Sequence, residues 1–251
     1  MSNTLLFAFG NQKGGVGKST LTTVFGNYLQ GVHGDRYTFA AVDADDLQRT
    51  LFNFRCRDLE IDKKEFVGKE RELQKLVYEK ENEYDLYHIL QVPSNNFFDT
   101  FVDRFDGSVD FMAIDLPGNL KQAGVMDSYK AVEILFIPCK PNDTELDATV
   151  EFLRLYKEVD AIREESGLEP AEKYMIISRI DRAMSFDRVK YESVFKGVKV
   201  LENTFPYSPA AFGRDVKTLL DFKKNKKDED TEKLCTEIFQ VIEKKYSLIN
   251  A

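Results

Sequence analysis

The chain has 251 residues, 43% hydrophobic and 31% charged, which suits one α/β domain over residues 1–251 with a real core and a well-solvated surface. Its net charge of −8 disfavours general nucleic-acid binding except through a local basic patch, and three scattered cysteines with two histidines offer neither a disulfide framework nor a zinc set. No apolar run reaches the roughly 18 residues of a membrane span, and Met1-Ser2-Asn3-Thr4 lacks the basic region of a secretion signal, so a cytoplasmic chain is expected.

The first predicted element is an apolar strand at 5–9, and the third is a helix over 21–29. Between them runs Gly10-Asn11-Gln12-Lys13-Gly14-Gly15-Val16-Gly17-Lys18-Ser19-Thr20. A glycine-rich turn between strand and helix lets successive backbone N–H groups converge on phosphate oxygens, with the helix N-terminus adding positive potential. Gly14, Gly15, Val16, Gly17, Lys18, Ser19 and Thr20 are the expected nucleotide cradle. Lys18 would reach the outer phosphates, and the Ser19 hydroxyl would ligate Mg²⁺. The general pattern asks for glycine at position 12, where this chain has Gln12, and supplies a second lysine, Lys13. This K-G-G-x-G-K-S form resembles the deviant Walker A loop of the ParA/MinD superfamily of dimeric ATPases. The resemblance implies that Lys13 crosses to the nucleotide of a second subunit. The residues alone also allow Lys13 to be an ordinary solvated loop lysine.

A second apolar run at 37–42 ends in Asp43-Ala44-Asp45-Asp46. Carboxylates at the C-terminal end of a parallel strand lie where open α/β sheets bind ligands. The superfamily reads D-x-D-P-Q here. The resemblance makes Asp43 a metal-site carboxylate and Asp45 the group that positions the attacking water. Asp46 and Leu47 replace the usual proline and glutamine, with Gln48 one place late, which bears on the geometry of hydrolysis rather than on binding. An N-cap for a following helix is the alternative use of these acids. Residues 53–108 form a variable segment. Within it the pattern predicts a surface helix from about Lys69, a strand over 84–90, and a helix over 95–105 whose Phe97, Phe98, Phe101 and Phe105 pack on the sheet or, alternatively, form an exposed partner-binding face.

An apolar strand at 109–115 ends in Asp115, followed by Leu116-Pro117-Gly118. This is similar to the Walker B strand and D-x-P-(P)-G turn of the superfamily, which implies that Asp115 holds the Mg²⁺ water shell and that the turn senses the γ-phosphate. A strand at 133–138 and a long helix opened by Asn142-Asp143-Thr144 come next. The strand at 172–177 ends in Ser178-Arg179-Ile180-Asp181, similar, imperfectly, to the guanine-reading N-K-x-D element; the resemblance makes Arg179 a base-site residue, with adenine favoured and guanine open. Beyond a short strand at 198–201, Thr204-Phe205-Pro206-Tyr207-Ser208 resembles the segment that packs on the purine, with Pro206 as its wall. Lys223, Lys224, Lys226 and Lys227 form the one dense basic run, a nonspecific DNA contact or a solvated loop, blunted by Asp228-Glu229-Asp230. A final amphipathic helix over 231–247 presents Leu234, Ile238, Val241, Ile242 and Tyr246 on one face and is expected to dock on the domain rather than on a membrane.

This alternation predicts a doubly wound, mostly parallel sheet with helices on both faces, the P-loop NTPase fold. The resemblance, strongest to ParA-like proteins of plasmids and conjugative elements, implies a slow MgATPase whose ATP-bound form is a homodimer. It also implies a partner protein that stimulates hydrolysis, in partition, positioning or transfer of DNA. A non-hydrolysing nucleotide-dependent adaptor and a membrane-associated positioning ATPase are the alternatives.

Overall fold

The computed structural model describes residues 4–45, 47–120, 124–180, 188–206, 216–219 and 229–250. Eight strands form a parallel sheet: β1 (Leu5–Phe9), β2 (Phe39–Asp43), β3 (His88–Gln91), β4 (Phe111–Asp115), β5 (Ile134–Cys139), β6 (Glu172–Ile180), β7 (Lys199–Val200) and β8 (Phe205–Pro206). Their order is β3-β2-β4-β1-β5-β6-β7, with β8 also paired to β6. β1 is central, and the chain passes to either side of it, so the crevice beyond its C-terminal end is the topological switch point.

Period-two alternation splits the core into two layers. Leu5, Phe7 and Phe9 face one layer with Phe25, Phe39, Phe111 and Phe136, where ring pairs such as Phe9–Phe136 lie 5.5 Å apart. Leu6 and Ala8 face the other, with Met112, Leu135, Tyr129 and Phe152. The first layer is covered by α1 (Lys18–Tyr28), α2 (Thr50–Asp58), α3 (Glu70–Glu83) and the C-terminal helix. The second is covered by α4 (Phe97–Thr100), α5 (Val125–Lys130), α6 (Asp143–Glu165) and α7 (Arg188–Val194). Helices on both faces of an all-parallel sheet explain why the central strands read as continuous apolar runs.

The C-terminal helix, α8 (Glu229–Ile249), buries Leu234, Cys235, Ile238, Phe239 and Ile242 against the first layer, and Tyr246 donates to Asp110. Its apolar face is thus covered by the sheet. Among the described residues, no helix is long and apolar enough to cross a membrane.

The segment at 53–108 departs from expectation in three places. α2 is a helix that the sequence offered only as the alternative following the acids at 43–46, and its buried Arg55 breaks the amphipathic pattern. The strand expected at 84–90 is confined to His88–Gln91, since α3 runs on to Glu83. The cause is Glu81: its buried carboxylate accepts from the Ile89 amide at 3.0 Å and lies 3.5 Å from Arg55 Nε, fixing the helix end beside the strand start. The helix expected at 95–105 is broken into a 3₁₀ turn, α4 and a wider turn over Phe101–Phe105, although Phe97 and Phe101 are buried as predicted.

Candidate functional site

Three strand ends and one loop meet at the switch point. β1 delivers the loop at Gly10–Gly17, and α1 starts at Lys18 behind it. Gly17 caps that helix with φ 105°, a left-handed conformation that a residue bearing a Cβ resists. Gly14 and Gly15 are exposed, with nothing within 4 Å of where a side chain would begin. Val16 is buried beneath them, and its carbonyl accepts from Ser178 Oγ at 3.2 Å, which ties the loop to the end of β6.

The two carboxylates at the strand ends are neighbours. Asp43 and Asp115 are register partners across β2 and β4, and both are buried. Ser19 Oγ donates to Asp115 Oδ2 at 2.5 Å, while Asp115 Oδ1 has no hydrogen-bond partner among the described residues. Burial, reinforced by the Asp43 charge, pushes the Asp115 carboxyl up to about 7 against the pull of Ser19 and Lys18. Burial likewise raises Asp43 to about 6, opposed by the amides of Phe52 and Asp45. The N-cap of α2 is Arg49 rather than one of the acids, but Asp43 reaches the first turn of that helix: Oδ2 accepts from Phe52 N at 3.0 Å, and Oδ1 from Asp45 N at 3.2 Å.

A serine hydroxyl, an orphaned buried carboxylate oxygen and a second carboxylate alongside form an all-oxygen donor set of the kind that suits a hard divalent cation holding several waters. An anion would find the opposite chemistry a few residues away, in exposed loop glycines at a helix N-terminus. Lys18 stands between them. Burial lowers its ammonium below the ordinary lysine range, while Asp115 and Asp45 support the charge, and Nζ donates to the Lys13 carbonyl at 3.4 Å. Lys13 itself is exposed. The donor set and the cradle fit a magnesium–nucleotide complex.

Around this centre, Asp45 organises its own turn, Oδ1 accepting from Leu47 N at 3.2 Å and Gln48 N at 3.0 Å. Leu47 stands 86% exposed on the turn, so the residue replacing the usual glutamine presents an apolar side chain to solvent. Gly118 lies against the loop; a Cβ there would sit 2.6 Å from the Gln12 carbonyl oxygen. Pro206 is in β8, partly buried, and the preceding Phe205 ring edge is 3.8 Å from where a Gly17 side chain would begin. Arg179 is near the end of β6. Asp46, Asp181, Tyr207 and the lysines 223, 224, 226 and 227 lie outside the described residues.

Two loop-holding residues escaped sequence reasoning. In the sequence, Ser178 is one residue of the base-site strand end and Asn11 one residue of the loop. Asn11 is buried, with Nδ2 donating to the Pro138 carbonyl at 2.8 Å and to Thr149 Oγ1 at 3.0 Å. Its only sequence signal was a polar amide at the end of an apolar strand.

Comparison with known proteins agrees with this geometry. The family model described as ATPase MipZ matches residues 5–161. Among curated protein sequences, none matches the chain at a significant level. Of solved structures, the MinD cell division protein of Aquifex aeolicus superposes with a TM-score of 0.68 at 17% identity, covering 95% of this chain and 97% of that one. A putative plasmid partition protein of Borrelia burgdorferi B31 bound to AMPPNP gives 0.58 at 15% identity, covering 96% and 99%. A complex of a McdA variant of Cyanothece with ATP gives 0.59 at 13% identity, covering 95% and 97%. At these identities the likeness is one of fold.

Proposed function

The chain belongs to the MipZ family of ATPases, within the ParA/MinD superfamily, and from that premise we propose that it is an ATP-dependent dimerisation switch with slow MgATP hydrolysis, acting in the positioning or partition of DNA. The observation that carries this reading is the pairing of Ser19 with Asp115, whose second oxygen is orphaned, beside an open glycine loop and an exposed Lys13.

In this reading, amides from Gly14 to Thr20 hold the triphosphate, and Lys18 balances charge on its outer phosphates. Ser19 would hold magnesium directly, with Asp115 and Asp43 holding its water shell. The ion supplies positive charge to the phosphate oxygens. Lys13 of the partner subunit neutralises charge developing on the γ-phosphate, as an arginine finger does. Asp45 orients the attacking water. Because its Oδ1 already holds two amides of its own turn, the carboxylate is fixed in direction, which leaves Oδ2 to hold the water. Slow turnover that a partner protein accelerates is the expected result. Arg179 and Pro206 border the base, and adenine is the expected purine. The AMPPNP and ATP bound by the Borrelia and Cyanothece neighbours support the choice of ligand. A nonspecific DNA contact through the lysines 223, 224, 226 and 227, as against a solvated loop, is tested by salt-dependent retention on DNA before and after their replacement by glutamine.

The decisive variant is Lys13→Ala. It should bind MgATP with unchanged affinity while losing both dimerisation and phosphate release. Dimerisation that survives would reject the trans role, and a wild-type protein that dimerises without releasing phosphate in the presence of DNA and partner would make it a non-hydrolysing adaptor.

A further inference from the structure

Lys13 has to project across an interface, yet it sits in a loop rich in glycine, so something must hold the backbone beneath it. We infer that Asn11 is the positioning residue for Lys13, locking the backbone that carries it to β5 and α6. The inference rests on the trans role proposed above for Lys13.

Asn11 is 0% exposed and its side-chain amide is used at both ends. The two Nδ2 hydrogens go to the Pro138 carbonyl at 2.8 Å, at the end of β5, and to Thr149 Oγ1 at 3.0 Å, in the second turn of α6. Oδ1 accepts from the Lys13 amide at 3.3 Å. Turning the amide over would set Oδ1 against the Pro138 carbonyl and an N–H against the Lys13 N–H, so only one orientation satisfies all three partners. Thr149 Oγ1 donates to the Glu145 carbonyl at 2.7 Å, which leaves its lone pairs for Asn11.

The opposite flank is also closed. The space a Gly118 side chain would need lies 2.6 Å from Gln12 O and 3.2 Å from Asn11 O, so the turn after Asp115 presses on the same short segment. The Lys13 carbonyl is taken by Lys18 Nζ at 3.4 Å. Both backbone groups of Lys13 are therefore engaged while its side chain is exposed and, among the described residues, unpaired. A rigid stem under a free cation is the arrangement that lowers the ordering cost of an interfacial contact. It also makes the first turns of α6 part of the same device.

The test measures two quantities for the full chain: monomer affinity for a nonhydrolysable ATP analogue, and the dissociation constant of the analogue-bound dimer by sedimentation. Asn11→Ala should leave analogue affinity within about two-fold and weaken the dimer roughly ten-fold or more; Thr149→Val, which removes one hydrogen bond at constant volume, should weaken it about five-fold. Thr149→Ser, which keeps the hydroxyl, should restore wild-type dimerisation. Should Asn11→Ala fail to fold, the Thr149 pair decides alone. Wild-type dimerisation in Thr149→Val, or equal losses in analogue affinity and dimerisation, would overturn the inference while the trans-lysine reading stands. A Lys13→Ala protein that dimerises normally would overturn both.

Discussion

Among the described residues, two clusters of buried charge are built in opposite ways. At the sheet edge, Arg55 and Glu81 are 0% and 1% exposed and face each other, Nε 3.5 Å from Oε1. Arg55 Nη2 also donates to the Tyr87 carbonyl at 3.1 Å, and the guanidinium lies 4.7 Å from the Tyr87 ring centre. At the switch point, Asp43 and Asp115 are buried side by side, like charge next to like, and one Asp115 oxygen lacks a partner among the described residues. The first arrangement is neutral within itself and belongs to the fold. The second is costly in the isolated chain, and the proposed magnesium would offset that cost.

The largest expected effect tests the closed region. Glu81→Ala leaves the Arg55 charge buried without its carboxylate, which should cost about 3–5 kcal/mol in urea unfolding. ATP affinity well below the melting temperature should be unchanged. A large loss of affinity in a still-folded variant would mean that the edge pair serves the site after all.

At the open region, Lys18→Ala should weaken nucleotide binding by about 2–3 kcal/mol, read by calorimetry, through loss of a charge-assisted contact to phosphate. Unchanged affinity there would count against the whole cradle. Asp115→Asn should separate stability from function. Removing one of two adjacent buried carboxylates should raise the ligand-free melting temperature, while the magnesium dependence of nucleotide binding is lost. A variant that melts lower and still responds to magnesium would place the metal elsewhere.

The smallest effect is in pH. The carboxyls of Asp115 and Asp43 are raised in the fold to about 7 and about 6, so between about pH 4 and pH 7 the folded chain holds protons that the unfolded chain has released. Stability from these groups is present below about pH 4 and falls as pH rises through about 7. The melting-temperature advantage of Asp115→Asn over wild type should therefore grow from about pH 5 to about pH 8. A constant difference would show that Asp115 is already ionised at the acid end of that range.

What the sequence made legible was local. The loop could be read because Gly17 must adopt a positive φ and because strand, glycines, lysine and hydroxyl are contiguous. Asp43 and Asp115 could be read because each ends an apolar strand, whereas their adjacency depends on β2 pairing with β4, which no local pattern shows. What stayed hidden was carried by partners far along the chain. Asn11 meets Pro138 and Thr149, 127 and 138 residues away, and Ser178 meets Val16 over 162 residues. α2 was faint for a related reason: a buried arginine reads as a surface residue until its distant glutamate is in place. The strand at 84–90 was overread because alternating tyrosines and apolar residues imitate β periodicity, whereas the buried side chain that ends α3 lies earlier, at Glu81.

The claim on which the rest depends is that a bound triphosphate joins two copies of this chain. Light scattering behind size exclusion, with Mg²⁺ and in turn ADP, ATP, a nonhydrolysable ATP analogue and GTP, tests it directly. The expected result is a monomer with ADP, a transient dimer with ATP and a persistent dimer with the analogue, with GTP failing to produce one. A monomer under all four conditions at saturating nucleotide, or the same dimer under all four, would contradict the account.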